Sequence, residues 1–189
     1  MVEDTGGALR RVETDRLELR AVSADDLDEL YELMSDPRVW THLPSEVHTD
    51  RARTATQVAR YAAAWDLDGL GYWTAWLKDG SFAGIGGCWR RGGPVWNLYY
   101  RIRPEHQGQG YATELARAAR AAATTVDAGL PVIASVLAHN YASRAVAQAA
   151  GLRLVWQGRD PGGPAAGKLR LVFADREIGA GRLAALHSP

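Results

Sequence analysis

A mixed α/β fold of the α+β kind, built on one central sheet, is predicted for this chain by three observations. Strand-like and helix-like patterns alternate along it. Asp79-Gly80 joins two β-rich runs as a tight hairpin, which makes the early sheet antiparallel. A nearly all-apolar run, Val132 to Ala138, lies between two helical patterns, as a strand buried on both faces does. The predicted order is β-α-α-β-β-β-α-β-α-β-β.

Each element has a local reason. Arg16 to Arg20 alternates polar and apolar residues, the pattern of a half-buried strand. Ser23 precedes Asp25 and Asp26, an N-cap with acids in the first helical turn. Leu27, Leu30, Tyr31 and Met34 then form one stripe, and Asp36-Pro37 stops the helix. Thr49-Asp50 opens a second helix, which runs to about Asp66 and ends at Asp68-Gly69. Gly71 to Lys78 and Ser81 to Arg90 are the hairpin strands; Gly84, Gly86 and Gly87 mark a bulge or a close backbone approach. Arg91-Gly92-Gly93-Pro94 is a turn, and Val95 to Arg103 is the fourth strand. Tyr111 to Ala128 is a helix with Leu115, Ala119, Ala122 and Val126 on its apolar face. Asn140 caps a short helix that ends at Gly151 as its C′ residue. Leu152 to Gln157 and Lys168 to Ala174 are the last strands. The first ten residues and those after about Arg176 show no periodicity and are expected to pack loosely.

The chain's 189 residues predict a single domain over 1–189, with a core from about 12 to 175. The 22 basic and 22 acidic residues cancel, which disfavours a general nucleic-acid binder. Cys88 is the only cysteine, so no intrachain disulfide and no cysteine-rich metal site are expected. The five histidines have no ligand spacing, so no metal is expected. The N-terminus lacks a signal-peptide pattern and no apolar run is long enough to span a bilayer, so a cytoplasmic protein without a membrane partner is expected.

The segment from Val95 to Ala128 carries the chemistry. Gly108 and Gly110 let backbone N–H groups converge where a helix begins, and the helix dipole adds positive charge there; a phosphate suits that place. A plain tight turn is the bland alternative. A dinucleotide fingerprint fails, because Thr113 stands at its third glycine and His139-Asn140 where its acid belongs. A Walker A loop fails too, since Gly167-Lys168 is followed by Leu169.

Gln107-Gly108-Gln109-Gly110-Tyr111-Ala112 resembles the Q/R-x-x-G-x-G/A acyl-CoA pyrophosphate loop of the GNAT N-acetyltransferase superfamily. The likeness is closest to its RimJ/RimL branch. Thr14 to Arg20 resembles T-[DE]-R-L-x-L-R, and Ser35 to Val39 resembles S-D-P-x-V. Gly108 to Glu114 resembles G-x-G-Y-A-T-E, and Asn140 to Ser143 followed by Gly151-Leu152 resembles N-x-x-S…G-F.

The resemblance implies an acyl-CoA-dependent N-acyltransferase, with acetyl-CoA as the default cosubstrate and no metal. The partners it implies are acyl-CoA and an amine acceptor, with a homodimer left open. Backbone N–H groups of Gly108, Gln109, Gly110, Tyr111 and Ala112, with Thr113 beside them, are expected at the pyrophosphate. The amides of Ile102 and Arg103 are expected to pair with pantetheine, and Gln107 to shape the loop. Asn140 is expected at a pantetheine amide or as a helix cap, and Ser143 as donor to the departing thiolate. Ala147 occupies the position of a tyrosine acid found in many relatives, and Asn97 that of a strand carboxylate. Asn97 can therefore only orient a water or the amine. Glu18, His42, Glu46, His48 and Glu105 remain as base candidates. Trp40 and Trp96 are expected to line the acceptor pocket, and Trp73 and Trp76 to face opposite sides of one strand. The acceptor expected is a protein N-terminus or another α-amine. A non-catalytic CoA-binding or sensor domain of the same fold is the alternative.

Overall fold

The structure, a computed structural model, describes residues 5–90, 94–179 and 181. Its elements in chain order are α1 (Thr5–Leu9), β1 (Arg11–Glu13), β2 (Leu17–Ala21), α2 (Leu27–Ser35) and α3 (Arg51–Asp68). There follow β3 (Tyr72–Leu77), β4 (Phe82–Trp89), β5 (Trp96–Ile102), α4 (Tyr111–Val126) and β6 (Val132–Leu137). The last are α5 (Tyr141–Ala149), β7 (Arg153–Arg159) and β8 (Leu169–Ala174). The predicted order stands, with α1 and β1 added in front. The turn predicted at 91–94 falls mostly outside the described residues.

The strands form one sheet in the order β1-β2-β3-β4-β5-β6-β8-β7. All neighbours are antiparallel except β5 and β6, which run parallel across α4. That single parallel pair is the β-α-β unit expected from the apolar run at Val132. One face of the sheet packs on α4 and α5 through Trp73, Trp96, Leu98, Leu115, Ala119 and Phe173. The other packs on α2 and α3 through Leu30, Leu33, Met34, Val58, Tyr61 and Ile85. Trp73 belongs to the first cluster and Trp76 packs on the second, as the odd separation requires.

Local chemistry explains the boundaries. Ser23 and Asp26 form a reciprocal capping box ahead of α2. The Asp50 carboxylate accepts from the Ala52 N–H, and Gly69, at φ +71°, ends α3. The glycines of β4 allow the close approach expected of them. A Cβ at Gly86 would sit 2.6 Å from Leu115 Cδ2 and from the Tyr99 carbonyl. This contact lets α4 lie directly on the sheet.

Three local expectations need correction. The first ten residues do not all pack loosely, since α1 forms and the Trp73 indole donates to the Leu9 carbonyl at 2.8 Å. On α2, Leu33 is buried while Leu27 and Tyr31 are only half-buried. On β6, Ser135 is exposed, because the sheet opens beside it. No helix among the described residues is long and apolar enough to cross a membrane.

Candidate active site

The site begins as a fault in the sheet. The β5–β6 ladder holds only Trp96 with Val132 and Asn97 with Ile133. Beyond them the strands diverge. The Trp96 N–H donates to Pro131 on the β6 side, and the Arg103 N–H donates to Ala83 on the β4 side, at 2.9 and 2.8 Å. Alternation along the strand therefore aims the N–H groups of Tyr100 and Ile102 into the gap. A cleft of about 530 Å³ occupies it, walled by Leu98 to Ile102 of β5 and Ala134 to Leu137 of β6.

At one end lies the glycine loop. Gln107 shapes it by donating from Nε2 to the Ile102 carbonyl at 2.9 Å. Gly108 and Gly110 stand at φ +75° and +86°, the left-handed region that a side chain disfavours. Gly110 caps α4. Among the described residues the N–H groups of Gly108 to Ala112 meet no acceptor. Gly108, Gly110, Tyr111, Ala112 and Thr113 line the cleft, whereas Gln109 does not.

A clasp fixes this loop from outside. Glu114, in the first turn of α4, accepts from Thr14 Oγ1 at 2.6 Å and from the Arg16 N–H at 2.8 Å. It also accepts from Arg16 Nε at 2.7 Å. Arg16 in turn donates to the Gln109 carbonyl at 2.8 Å and lies over the Tyr111 ring. Burial alone would raise the Glu114 carboxyl, but these bonds outweigh it and hold the group below the usual range. Two motifs about a hundred residues apart are thus one structure.

At the middle of the cleft, α5 faces β5. Asn140 Oδ1 accepts from the Ser143 N–H at 3.1 Å, so its cap role is real. Ser143 Oγ donates to the Tyr100 hydroxyl at 3.2 Å, and that hydroxyl donates to the Ser143 carbonyl at 2.6 Å. Burial pushes the Tyr100 phenol up to about 12. Ala147 is fully buried. Tyr100, which the sequence reading passed over, brings a phenol from β5 to the same cleft.

On the α2–α3 side the cleft is lined by Val39, His42, Leu43, Tyr99 and Arg101. Of the five base candidates only His42 lines it. Burial, then the charges of Arg101, His139 and Lys168, lower His42 to about 4, so it is neutral near pH 7. His48 is buried and bonds Thr54 at 2.8 Å. Glu18 pairs with Arg11 and Arg20, Glu46 with Arg53, and Glu105 with Arg38.

Four other expectations are corrected. The Arg103 N–H belongs to the β4–β5 ladder and its side chain pairs with Glu32, so neither faces the cleft. Trp96 has no exposed surface and its indole donates to the Asp127 carbonyl at 3.3 Å; strand parity points it under α4. Trp40 is buried, donates to the Met34 carbonyl at 2.6 Å and backs Arg101 without lining the cleft. Asn97 also lies outside the lining, its amide toward the Tyr72 hydroxyl at 3.4 Å. Among the described residues no cluster of potential metal ligands occurs.

Comparisons with known proteins bear on the family and the fold. The family model of the acetyltransferase (GNAT) domain matches residues 16–153. No curated protein sequence matches the chain. An acetyltransferase of Agrobacterium tumefaciens is 25% identical, with a TM-score of 0.72, over 88% of this chain and 94% of that one. A GNAT-family acetyltransferase of Bacillus anthracis is 20% identical, with a TM-score of 0.71, over 87% and 96%. RimL, the ribosomal L7/L12 α-N-protein acetyltransferase solved with coenzyme A, is 18% identical, with a TM-score of 0.73, over 89% and 98%. These likenesses concern the fold, in line with the RimJ/RimL-like resemblance, and the domain match covers most of the chain: it belongs to the GNAT family and is a GNAT-type N-acetyltransferase.

Proposed function

We propose that the chain transfers acetyl from acetyl-CoA to a primary α-amine by direct attack in the β5–β6 cleft. The observation that carries this reading is the set of N–H groups of Gly108, Gly110, Tyr111 and Ala112, which meet no acceptor among the described residues and belong to residues lining the same cleft as Ser143. A pyrophosphate suits that end through the helix dipole and several donors at once. RimL, solved with coenzyme A, supports the choice of cosubstrate.

The residues divide the work as follows. The Ile102 N–H donates to pantetheine as a neighbouring strand would. The Tyr100 N–H stabilises the carbonyl oxygen as it turns negative. Tyr100 keeps its phenolic proton at every physiological pH and commits it to the Ser143 carbonyl. That leaves the Ser143 hydroxyl as the rotatable donor for the departing thiolate. Asn140 fixes the turn that carries Ser143. Among the described residues no carboxylate lines the cleft, so strong proton abstraction is not built in. An α-amine, with a pKa of about 8, is partly neutral at pH 7, whereas a lysine amine at about 10.4 is almost fully charged. His42, held neutral, can orient the amine or a water by hydrogen bonding, and the remaining proton passes to solvent.

Thiol release from acetyl-CoA, measured across α-amine and lysine-type acceptors, tests the proposal. Faster release with α-amines is expected; release with lysine-type amines alone overturns the acceptor class. A CoA-binding sensor without turnover would release no thiol with any amine.

A further inference from the structure

We propose that Arg101 forms an anion subsite on the acceptor side of the cleft, and that the acceptor bears a carboxylate within a few bonds of its reacting amine. The inference rests on the acetyl-transfer reading above and narrows its acceptor.

Arg101 stands out by what it lacks. Around the cleft, Arg16 is paired with Glu114, Arg38 with Asp36 and Glu105, Arg103 with Glu32, and Arg170 with Asp160. Arg101 lines the cleft and meets no carboxylate among the described residues. It donates from Nε to the Tyr99 hydroxyl at 2.7 Å and from Nη1 to the Val39 carbonyl at 3.2 Å. Both partners are neutral, so its charge is half-buried and uncompensated. A guanidinium offers five donors in a planar fork that matches a carboxylate. The two bonds named leave donors over for such a ligand.

The group is also held in place. Its guanidinium carbon lies 3.4 Å from the centre of the Trp40 ring. Trp40 is pinned through its indole to Met34 and stacks on His48, which bonds Thr54. A fork fixed before the ligand arrives loses little freedom on binding it.

The anion served is not the CoA pyrophosphate. Strand parity puts the side chains of Tyr99 and Arg101 on the α2–α3 face of β5. The α4 N-terminus lies on the opposite face, with Tyr100 and Ser143. Among the described residues the cleft lining contains arginine and histidine but neither aspartate nor glutamate. A polyamine or a lysine-rich peptide would find like charge and no partner there.

The test uses acceptors that differ by one charge, with each rate divided by its fraction of neutral amine, because a free amino acid's amine is more basic than its carboxamide's. A set of free α-amino acids is compared with their carboxamides, and peptides beginning with Asp or Glu with peptides beginning with Asn or Gln. The expected kcat/KM ratio, acid over amide, is roughly 10- to 100-fold, the scale of a charge-assisted hydrogen bond. A ratio confined to free amino acids identifies a small-molecule acceptor; one confined to acidic peptides identifies a protein terminus. Either supports the subsite. In Arg101→Gln the ratio should collapse toward one, while the KM for acetyl-CoA holds; Arg101→Lys should recover part of it, having the charge without the fork. A wild-type ratio near one overturns the subsite and leaves acetyl transfer standing, and so does a ratio that survives in Arg101→Gln. Failure of every amine to release thiol overturns both.

Discussion

The two ends of the cleft are made differently. The end at α4 is built from backbone: five consecutive N–H groups, shaped by Gly108 and Gly110 and contributed by one short stretch of chain. The end at α2 and α3 is built from side chains brought from separate places, with Val39, His42 and Leu43 from one loop and Tyr99 and Arg101 from β5. A backbone site tolerates little, because glycine conformations and a helix start define it. A side-chain site can change its ligand one residue at a time. One scaffold can thus keep a constant donor and vary the acceptor.

The largest effect expected breaks the backbone end. Gly110→Asp places a side chain at φ +86° and a negative charge beside the N–H row. CoA affinity should fall on the order of 100-fold or more, as the loss of two charge-assisted hydrogen bonds implies. Calorimetry checks this, and an unchanged CoA-induced rise in Tm in a folded variant would sink the loop assignment.

The next effect lies where the two ends meet. Ser143→Ala should lower kcat by roughly 10- to 100-fold with little change in CoA affinity. Tyr100→Phe should lower it through the same pair of bonds, and the double variant should be no worse than Ser143→Ala. Fully additive losses would mean that the two hydroxyls act separately.

On the side-chain end, His42 titrates at about 4, well below its ordinary value. It is therefore neutral from about pH 5 upward, and log(kcat/KM) should rise with unit slope to the acceptor's own pKa of about 8, then flatten. The upper break should move when the acceptor amine is changed. An inflection near pH 6.5 that stays fixed across acceptors would show that an enzyme histidine governs the profile.

Smaller still is the clasp. Glu114→Gln should raise the KM for acetyl-CoA by about 3- to 10-fold, the scale of one hydrogen bond. Because the folded carboxyl is held below its unfolded value of about 4.3, the clasp's stabilisation is present above that pH. It is lost as pH falls through the folded value. Wild type and variant should converge in Tm in acid and differ near neutrality. The smallest effect is expected of Asn97→Asp. Outside the lining, it should add no base and leave the pH profile where it was.

The same contrast governs what the sequence disclosed. Periodicity and punctuation located α2 to α5 and β2 to β8, because burial alternates on a local period. Local glycines and a helix start also located the loop. The tip of β1 and the helix α1 were missed, since a three-residue strand and a five-residue helix carry too little periodicity. Trp96 and the Arg103 amide were misplaced because the direction of a side chain or an N–H depends on strand parity, which only the observed register settles. Arg101 and Tyr100 were missed as site residues because their neighbours come from α5 and the 39–43 loop. The clasp was visible only as two motifs, since no local rule joins Arg16 to Glu114.

That clasp ties loop to N-terminus in a way that bears on folding order. During synthesis the glycine loop and α4 are made after Thr14 and Arg16, so the clasp can close only once Glu114 has been added to the chain. A chain shortened to begin after Arg16 keeps every residue of the loop yet loses the brace behind it. Such a chain should retain most of the sheet while its CoA site loosens, so limited proteolysis before Leu17 would weaken a site whose own residues remain untouched.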